Sequence, residues 1–488
     1  MIGIMRLAKK AILLIIVISI ITGVRHMYSP LPAGTSFEGE VHRVPSSSVA
    51  FFADHTYVDE KGARHSQQRI FDEVIRMIAG ARRYILLDMF LYNPFQGSSP
   101  ELTRALSEEL TVALLQKKKD IPDITIVLIT DPLNEVYGGD NSEQFERLRS
   151  AGITVVTTDL TALRDSNPLY SGFWRTVVKW FGNSPSAGTM PHPFQAGGEK
   201  VSLRSWLALL NFKANHRKLI IADEVTARGH KLATLITSAN PHDGSSAHGN
   251  IAIKVSDALH ADALMTESAV GTLSGTVVPM PPRDFVPKDE SGPVEVSLLT
   301  EGAIKRRLTS SIAAAAANDT IDIAMFYLSD RDIVNALVSA VFRQVKVRLV
   351  LDPNKDAFGH KKNGVPNRPV AAEMIGRNDT VSIRWCDTHG EQCHAKLVLI
   401  HTKSGYEMFG GSANLTRRNI GDYNLETNVV VRSAEKIRAI ADAYDYFETI
   451  WGNQGGKIYT ADYDAYRDEA FHKKAMYRLM EMTGMSSF

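Results

Sequence analysis

At 488 residues the chain exceeds what one ordinary core needs, so two domains or a duplicated fold is expected. Lys and Arg total 55 against 54 Asp and Glu, a net charge of +1, which excludes the global basic field of a dedicated nucleic-acid binder but leaves a local basic groove open. The two cysteines, Cys386 and Cys393, exclude a disulfide-rich scaffold and a Cys-based zinc site. One bridge between them and two free thiols both remain open.

The N-terminus sets Arg6, Lys9 and Lys10 before an uncharged run from Ala11 to Val24, closed by Arg25. As a helix, these residues span roughly 21 Å at ~1.5 Å each, short of a ~30 Å hydrocarbon core. Lys10 and Arg25 extend the reach by snorkelling. No small-x-small cleavage site follows, so 1–30 is read as an uncleaved anchor, with a cleaved signal segment as the alternative. Positive charge ahead of the apolar run keeps the N-terminus inside and the remainder across the membrane.

Beyond the anchor the chain repeats. Ile70, Val74 and Ile78 mark one helix face, and Ile304, Leu308 and Ile312 mark it again. Each helix runs into a strand, YILLDMFLYNP from Tyr84 and TIDIAMFYLSD from Thr320, with Met-Phe at the same place. A second helix follows in each half, then strands ending in Asp131-Pro132 and Asp352-Pro353. Helices alternating with β-branched strands predict an α/β fold in each half. The first unit is assigned to 45–276 and the second to 294–455. The stretch 277–293 between them, with five prolines, reads as linker. The first half carries extra chain, about 160–205, that includes GFWRTVVKWFG. Trp174 and Trp180, interleaved with Arg175 and Lys179, suit contact with a lipid substrate or a bilayer interface; packing on the protein's own core is the alternative. The tail, 456–488, reads helical from Asp462 to Met482, with Tyr463, Tyr466, Ala470 and Tyr477 on one face.

The chemistry sits in NHRKLIIAD, with His216, Lys218 and Asp223, and in CHAKLVLIH, with His394, Lys396 and His401 where an acid is expected. Residues two apart on a strand share a face, so each His-Lys pair enters one site. TSAN (Thr237, Ser238, Ala239, Asn240) is matched by GSAN (Gly411, Ser412, Ala413, Asn414). Counting on equally from the two turns pairs Asn250 with Asn424 and Ala252 with Glu426.

These motifs, HxKx4D, a Ser-Ala-Asn turn and N-x-E, resemble the phospholipase D superfamily signature, here duplicated over roughly residues 50 to 450. The resemblance implies two pseudo-symmetric α-β-α sandwich lobes of the phospholipase D type fused in one chain. It further implies a two-step reaction without metal or cofactor, in which one His attacks phosphorus to give a phosphohistidine and the other protonates the leaving oxygen. Lys218, Lys396, Asn240 and Asn414 would neutralise the phosphate oxygens, and Asp223, Ser238 and Ser412 would support the site. The family's N-x-E acid orients the His of its own half. Glu426 is thus expected to pair with His394 and hold it as imidazolium, the general acid, leaving His216 as neutral nucleophile. His242, Asp243 and His248 read as loop residues near the site rather than a metal cluster, and His248 or Asp243 is a candidate stand-in for the missing Glu. The expected substrate is a membrane phospholipid, hydrolysed or transferred to an alcohol, with no obligate protein partner. A membrane-anchored nuclease of the same superfamily is the second reading, and a decayed binding protein, marked by Ala252 and His401, is the third.

Overall fold

A computed structural model describes residues 2–101, 104–226, 229–282, 285, 291–357, 360–375 and 380–486. Two sheets dominate. The first contains β1 (Val49–Ala53), β2 (Tyr84–Met89), β3 (Thr125–Thr130), β4 (Thr154–Thr157), β5 (Lys218–Thr226), β6 (Gly229–Thr237) and β7 (Ile251–Ser256). The second contains β8 (Val294–Thr300), β9 (Thr320–Met325), β10 (Lys346–Leu351), β11 (Val381–Cys386), β12 (Lys396–Thr402), β13 (Gly405–Gly411) and β14 (Thr427–Ser433). Their orders are β1-β7-β6-β5-β2-β3-β4 and β8-β14-β13-β12-β9-β10-β11, the same path walked twice. Two short strands extend the second sheet, His42–Val44 beside β8 and Thr460–Asp462 beside β11.

The helices are α1 (Ile2–Met27), α2 (Ile70–Gly80), α3 (Leu106–Asp120), α4 (Pro168–Thr176), α5 (Leu203–Leu209), α6 (His260–Leu273), α7 (Gly302–Ala314), α8 (Arg331–Phe342), α9 (Arg438–Gly452) and α10 (Phe471–Thr483), together with three shorter or peripheral ones. Their starts are chemical: Asp330 accepts from the amides of Asp332 and Ile333 at the head of α8, and Ser202 caps α5 by accepting from Ser205. Ile70, Val74 and Ile78 on α2, like Ile304, Leu308 and Ile312 on α7, are buried against the outer face of their own sheet. The inner faces pack on each other, so Ile221, Ile251 and Ile253 of one sheet and Leu397, Leu399 and Val429 of the other share a single core. Gly410 permits that approach, since a Cβ there would lie 2.8 Å from Cδ1 of Ile253. Strands covered on both faces read as continuous apolar runs, which is why β2 and β9 are ILLDM-like rather than alternating.

Two observations differ from the sequence reading, and a third decides between the alternatives it left for the cysteines. In the tail Thr460–Asp462 pairs with the edge of β11, Arg384 opposite Asp462, a single 3-10 turn covers Tyr463–Ala465, and the α-helix begins only at Phe471. Cys386 and Cys393 are joined in a disulfide. α1 runs beyond the uncharged stretch to 26 residues, ~39 Å at ~1.5 Å each, enough to cross a bilayer. Between β4 and β5, residues 158–217 carry α4 and α5, whereas only 387–395 join β11 to β12. Within the stretch read as linker, 283–284 and 286–290 lie outside the described residues.

Candidate active site

Each motif histidine stands just ahead of its strand and is held by the opposite lobe. The backbone N–H of His216 donates to the Leu425 carbonyl at 2.9 Å, and that of His394 donates to the Gly249 carbonyl at 2.8 Å. The ring positions are set from the same place. Nδ1 of His216 lies 2.8 Å from Oε1 and 3.0 Å from Oε2 of Glu426, while Nδ1 of His394 lies 3.0 Å from Oδ1 of Asn250. Those partners are held in turn: Ser412 and Asn419 donate to Glu426, and Ser238 donates to Oδ1 of Asn250 at 3.0 Å. An acceptor at Nδ1 fixes the proton there and leaves Nε2 of each ring unengaged by the described residues.

The surroundings repeat as well. The Phe90 ring sits 4.7 Å from His216 and the Phe326 ring 5.1 Å from His394. Lys218 Nζ donates to the carbonyl of His216 at 2.7 Å and lies over Phe90, and Lys396 Nζ donates to the carbonyl of His394 at 2.9 Å and lies over Phe326. Below each histidine a buried aspartate grips the preceding residue: Asp131 accepts from the Asn215 amide at 2.7 Å, Asp352 from the Cys393 amide at 2.8 Å. Asn240 accepts from the Leu91 amide at 3.2 Å, and Oδ1 of Asn414 is buried without a hydrogen-bond partner among the described residues.

The carboxylate therefore crosses over, and the expected pairing of Glu426 with His394 is corrected: it holds His216. The alignment of Ala252 with Glu426 is corrected too. The loop from Asn414 to Glu426 is two residues longer than that from Asn240 to Asn250, so Asn250 is the counterpart of Glu426, and Ala252 lies buried in the outer core of the first lobe. Asp223 is a structural staple at the far end of its motif: it accepts from the amides of Arg82, Arg83 and Tyr84 and faces Nδ1 of His230 at 3.1 Å. His401 is exposed and stacks on Tyr406 at 4.3 Å, away from the site. Asp243 accepts from the Ser107 amide and so does not stand in for a glutamate. The His248 ring is 5.8 Å from that of His394, and its Nδ1 accepts from the Gln392 amide. Among the described residues no group of three His, Cys, Asp or Glu side chains is placed to hold a metal. Trp174 and Trp180 lie in the insertion, the first buried and the second exposed. The sequence reading missed Asp131, Asp352, Asn250, Phe90 and Phe326, although the repeated Asp-Pro and Met-Phe pairs were its visible signal.

Electrostatically the site is short of negative charge. Burial pulls His216 down to about 4, with Glu426 opposing, and takes His394 well below its ordinary range, with Lys396 adding to the effect. Burial lowers Lys218 to about 7, and burial plus the neighbouring Lys218 charge depress Lys396 well below the usual lysine range. Glu426 lies below the carboxylate norm: burial opposes this and is outweighed by His216 and Lys218. Four groups able to carry positive charge thus stand beside Glu426, while burial pushes the aspartates beneath the histidines up, Asp131 to about 7 and Asp352 to about 6, an arrangement that an entering oxyanion relieves.

Residues 309–451, from within α7 through α9, match the family described as cardiolipin synthase, phospholipase D-like domain. No curated protein matches the chain. Among solved structures, a phosphatidylserine synthase from Haemophilus influenzae Rd KW20 superposes with a TM-score of 0.56 at 9% identity, over 92% of this chain and 96% of that one. A polyphosphate kinase from Porphyromonas gingivalis gives 0.44 at 13% identity, over 89% and 53%. Nuc from Salmonella typhimurium, a phospholipase D family member, gives 0.27 at 19% identity, over 36% and 99%. Residues 309–451 thus carry a phospholipase D-like domain, and the chain as a whole shares the fold of the phosphatidylserine synthase. The matched residues all lie in the second lobe.

Proposed function

We propose that the protein cleaves phosphodiester bonds of phospholipids, by hydrolysis or by phosphatidyl transfer, through a phosphohistidine on His216. The reciprocal holding of the two rings carries this reading: each Nδ1 is engaged by the other lobe, and both Nε2 atoms are left for one phosphate. In the first step Nε2 of His216 attacks phosphorus while the bond to the leaving oxygen breaks. That oxygen takes the Nε2 proton of His394, whose pKa rises when the anionic substrate enters. The phosphorylated imidazole keeps its Nδ1–H and becomes cationic, and Glu426 faces that charge. In the second step neutral His394 takes the proton of water or an alcohol, whose oxygen attacks phosphorus and releases His216. Lys218, Lys396, Asn240 and Asn414 meet the non-bridging oxygens. Asn250, which accepts but carries no charge, makes His394 the more readily deprotonated partner and so suits it to the acid-base role.

A lipid substrate is favoured over a nucleic acid by α1 and by the exposed Trp180 and Phe181. A catalytic part on the far side of the membrane agrees with the basic residues before the apolar run and with the disulfide. The test is a p-nitrophenyl phosphodiester, whose leaving group needs no proton. His394→Ala should retain label incorporation on His216, and His216→Ala should lose it. Label on His394 overturns the assignment. Offering phosphatidylglycerol, phosphatidylcholine with an alcohol, and single-stranded DNA, with products resolved by mass spectrometry, separates lipid from nuclease activity. Turnover should survive EDTA.

A further inference from the structure

α4 lies against α1 in a defined register. The Asp165 amide donates to the His26 carbonyl at 3.2 Å, a Cβ on Gly23 would lie 2.2 Å from the Pro168 carbonyl oxygen, and a Cβ on Gly172 would lie 2.0 Å from the Ser19 carbonyl oxygen. The contacts pair 165 with 26, 168 with 23 and 172 with 19, so α4 runs antiparallel to α1. By the same spacing Thr176 comes level with Ile15, inside the stretch long and apolar enough to cross a membrane. The insertion of the first lobe thus climbs back along the anchor. Its outward residues suit that place: Leu169, Phe173, Trp180 and Phe181 are exposed. Lys179 lies over Trp180 at 4.3 Å and Arg204 over Trp174 at 4.9 Å, cations on aromatic faces as at a headgroup boundary.

Between α4, the turn after it and α5 is a cavity of about 220 Å³ with Trp174, Leu160 and Ala208 in its walls. Four cationic side chains, Arg175, Lys179, Arg204 and Lys213, line it against two anionic ones, Asp159 and Asp165. Asp165 is consumed by its ion pairs to Arg175 at 2.9 Å and Lys213 at 2.6 Å. The excess is positive. Thr158, in the same wall, accepts from Nδ2 of Asn215, the residue before His216, so the cavity abuts the first motif.

We propose that α4 and the turn after it lie in the bilayer beside α1 and that the cavity along α4 seats one anionic phospholipid drawn from the membrane, its phosphate met by Lys179 and Arg204. The inference concerns binding, and its test reads no turnover, so it stands or falls apart from the phosphodiesterase reading.

The full-length protein is reconstituted into vesicles of phosphatidylglycerol or phosphatidylcholine whose acyl chains carry bromine, a tryptophan quencher. Emission should fall on bromination, and Trp180→Phe should remove most of the quenched component. The protein is then extracted from an equimolar mixture of the two lipids, and retained lipid is counted by mass spectrometry. Wild type should retain phosphatidylglycerol in excess. Lys179→Glu with Arg204→Glu should lower that preference about tenfold, with an unchanged thermal midpoint reporting an intact fold. Ala208→Leu, which narrows the cavity without altering charge, should lower retention of both lipids. Quenching that is undiminished in Trp180→Phe, or equal retention of the two lipids by wild type, overturns the proposal.

Discussion

Anion binding at the site should be accompanied by uptake of protons, because the structure holds Lys218 at a pKa of about 7 when no anion is present. Sulfate, which does not itself titrate in this range, is the ligand of choice. At pH 8 a lysine with that pKa is only about a tenth protonated, and an adjacent anion returns it toward its ordinary ~10.4, so Lys218 alone takes up ~0.9 proton per sulfate. Lys396, lowered in the same direction, adds to this uptake. At pH 6, where Lys218 is already largely protonated, its share shrinks to ~0.1. Isothermal titration in buffers of different ionisation enthalpy reads the number directly as the slope of observed heat against buffer heat. The free protein carries the complementary sign. With the folded pKa below the unfolded one, the unfolded chain binds more protons between about pH 7 and ~10.4, so the stability contributed by Lys218 rises with pH across that window, and sulfate should flatten the rise. A slope of zero at pH 8, or release of protons, would refute the picture of lysines held neutral until phosphate arrives.

Glu426→Gln keeps the shape but removes the charge facing His216; a charge-assisted hydrogen bond is worth about 1.5–3 kcal/mol, so kcat on a p-nitrophenyl phosphodiester should fall roughly 10- to 150-fold, with less phosphoenzyme in rapid-quench traps. Asn250→Glu would set a carboxylate at Nδ1 of His394, raise its pKa and move the alkaline limb of the kcat/KM profile upward by a unit or more; an unmoved limb would show that Asn250 does not govern that histidine. His401→Asp, which restores the motif acid in the second half, should leave turnover within twofold, since His401 faces solvent and Tyr406. The disulfide closes a loop of sequence separation 7, so reductant should lower the stability of the wild type by about 2.5 kcal/mol in denaturant titrations and leave a Cys386→Ser/Cys393→Ser variant unaffected.

The repeat was legible because its signals are local. Two residues apart on a strand share a face, so His216 with Lys218 and His394 with Lys396 declare a common site wherever the strands lie. The same holds for Ile70, Val74 and Ile78, whose spacing alone faces them to a core. What escaped was everything set by the meeting of the lobes. No local pattern says that the lead-in to β14 runs beside that of β5, and so the resemblance placed Glu426 on the histidine of its own half. The Ala252 alignment failed for a related reason: equal spacing was assumed across a loop that differs by two residues, and only the paired contacts of Ser238 with Asn250 and Ser412 with Glu426 fix the true register. In the tail, the edge of β11 takes Asp462, the first residue of the helical reading, into a strand with Thr460 and Ala461, a long-range pairing that periodicity does not show.

The exchange of Glu426 and Asn250 across the interface carries a consequence for how such a molecule diverges. Two identical chains meeting about a twofold axis would be obliged to put the same residue beside both histidines, and any change would strike both at once. Joined in one polypeptide, the halves can mutate separately: one ring keeps its carboxylate, the other receives a neutral amide, and an aspartate in one motif coexists with a surface histidine in the other. Joining the repeats is thus what allows the two imidazoles of a symmetric cleft to rest on different partners.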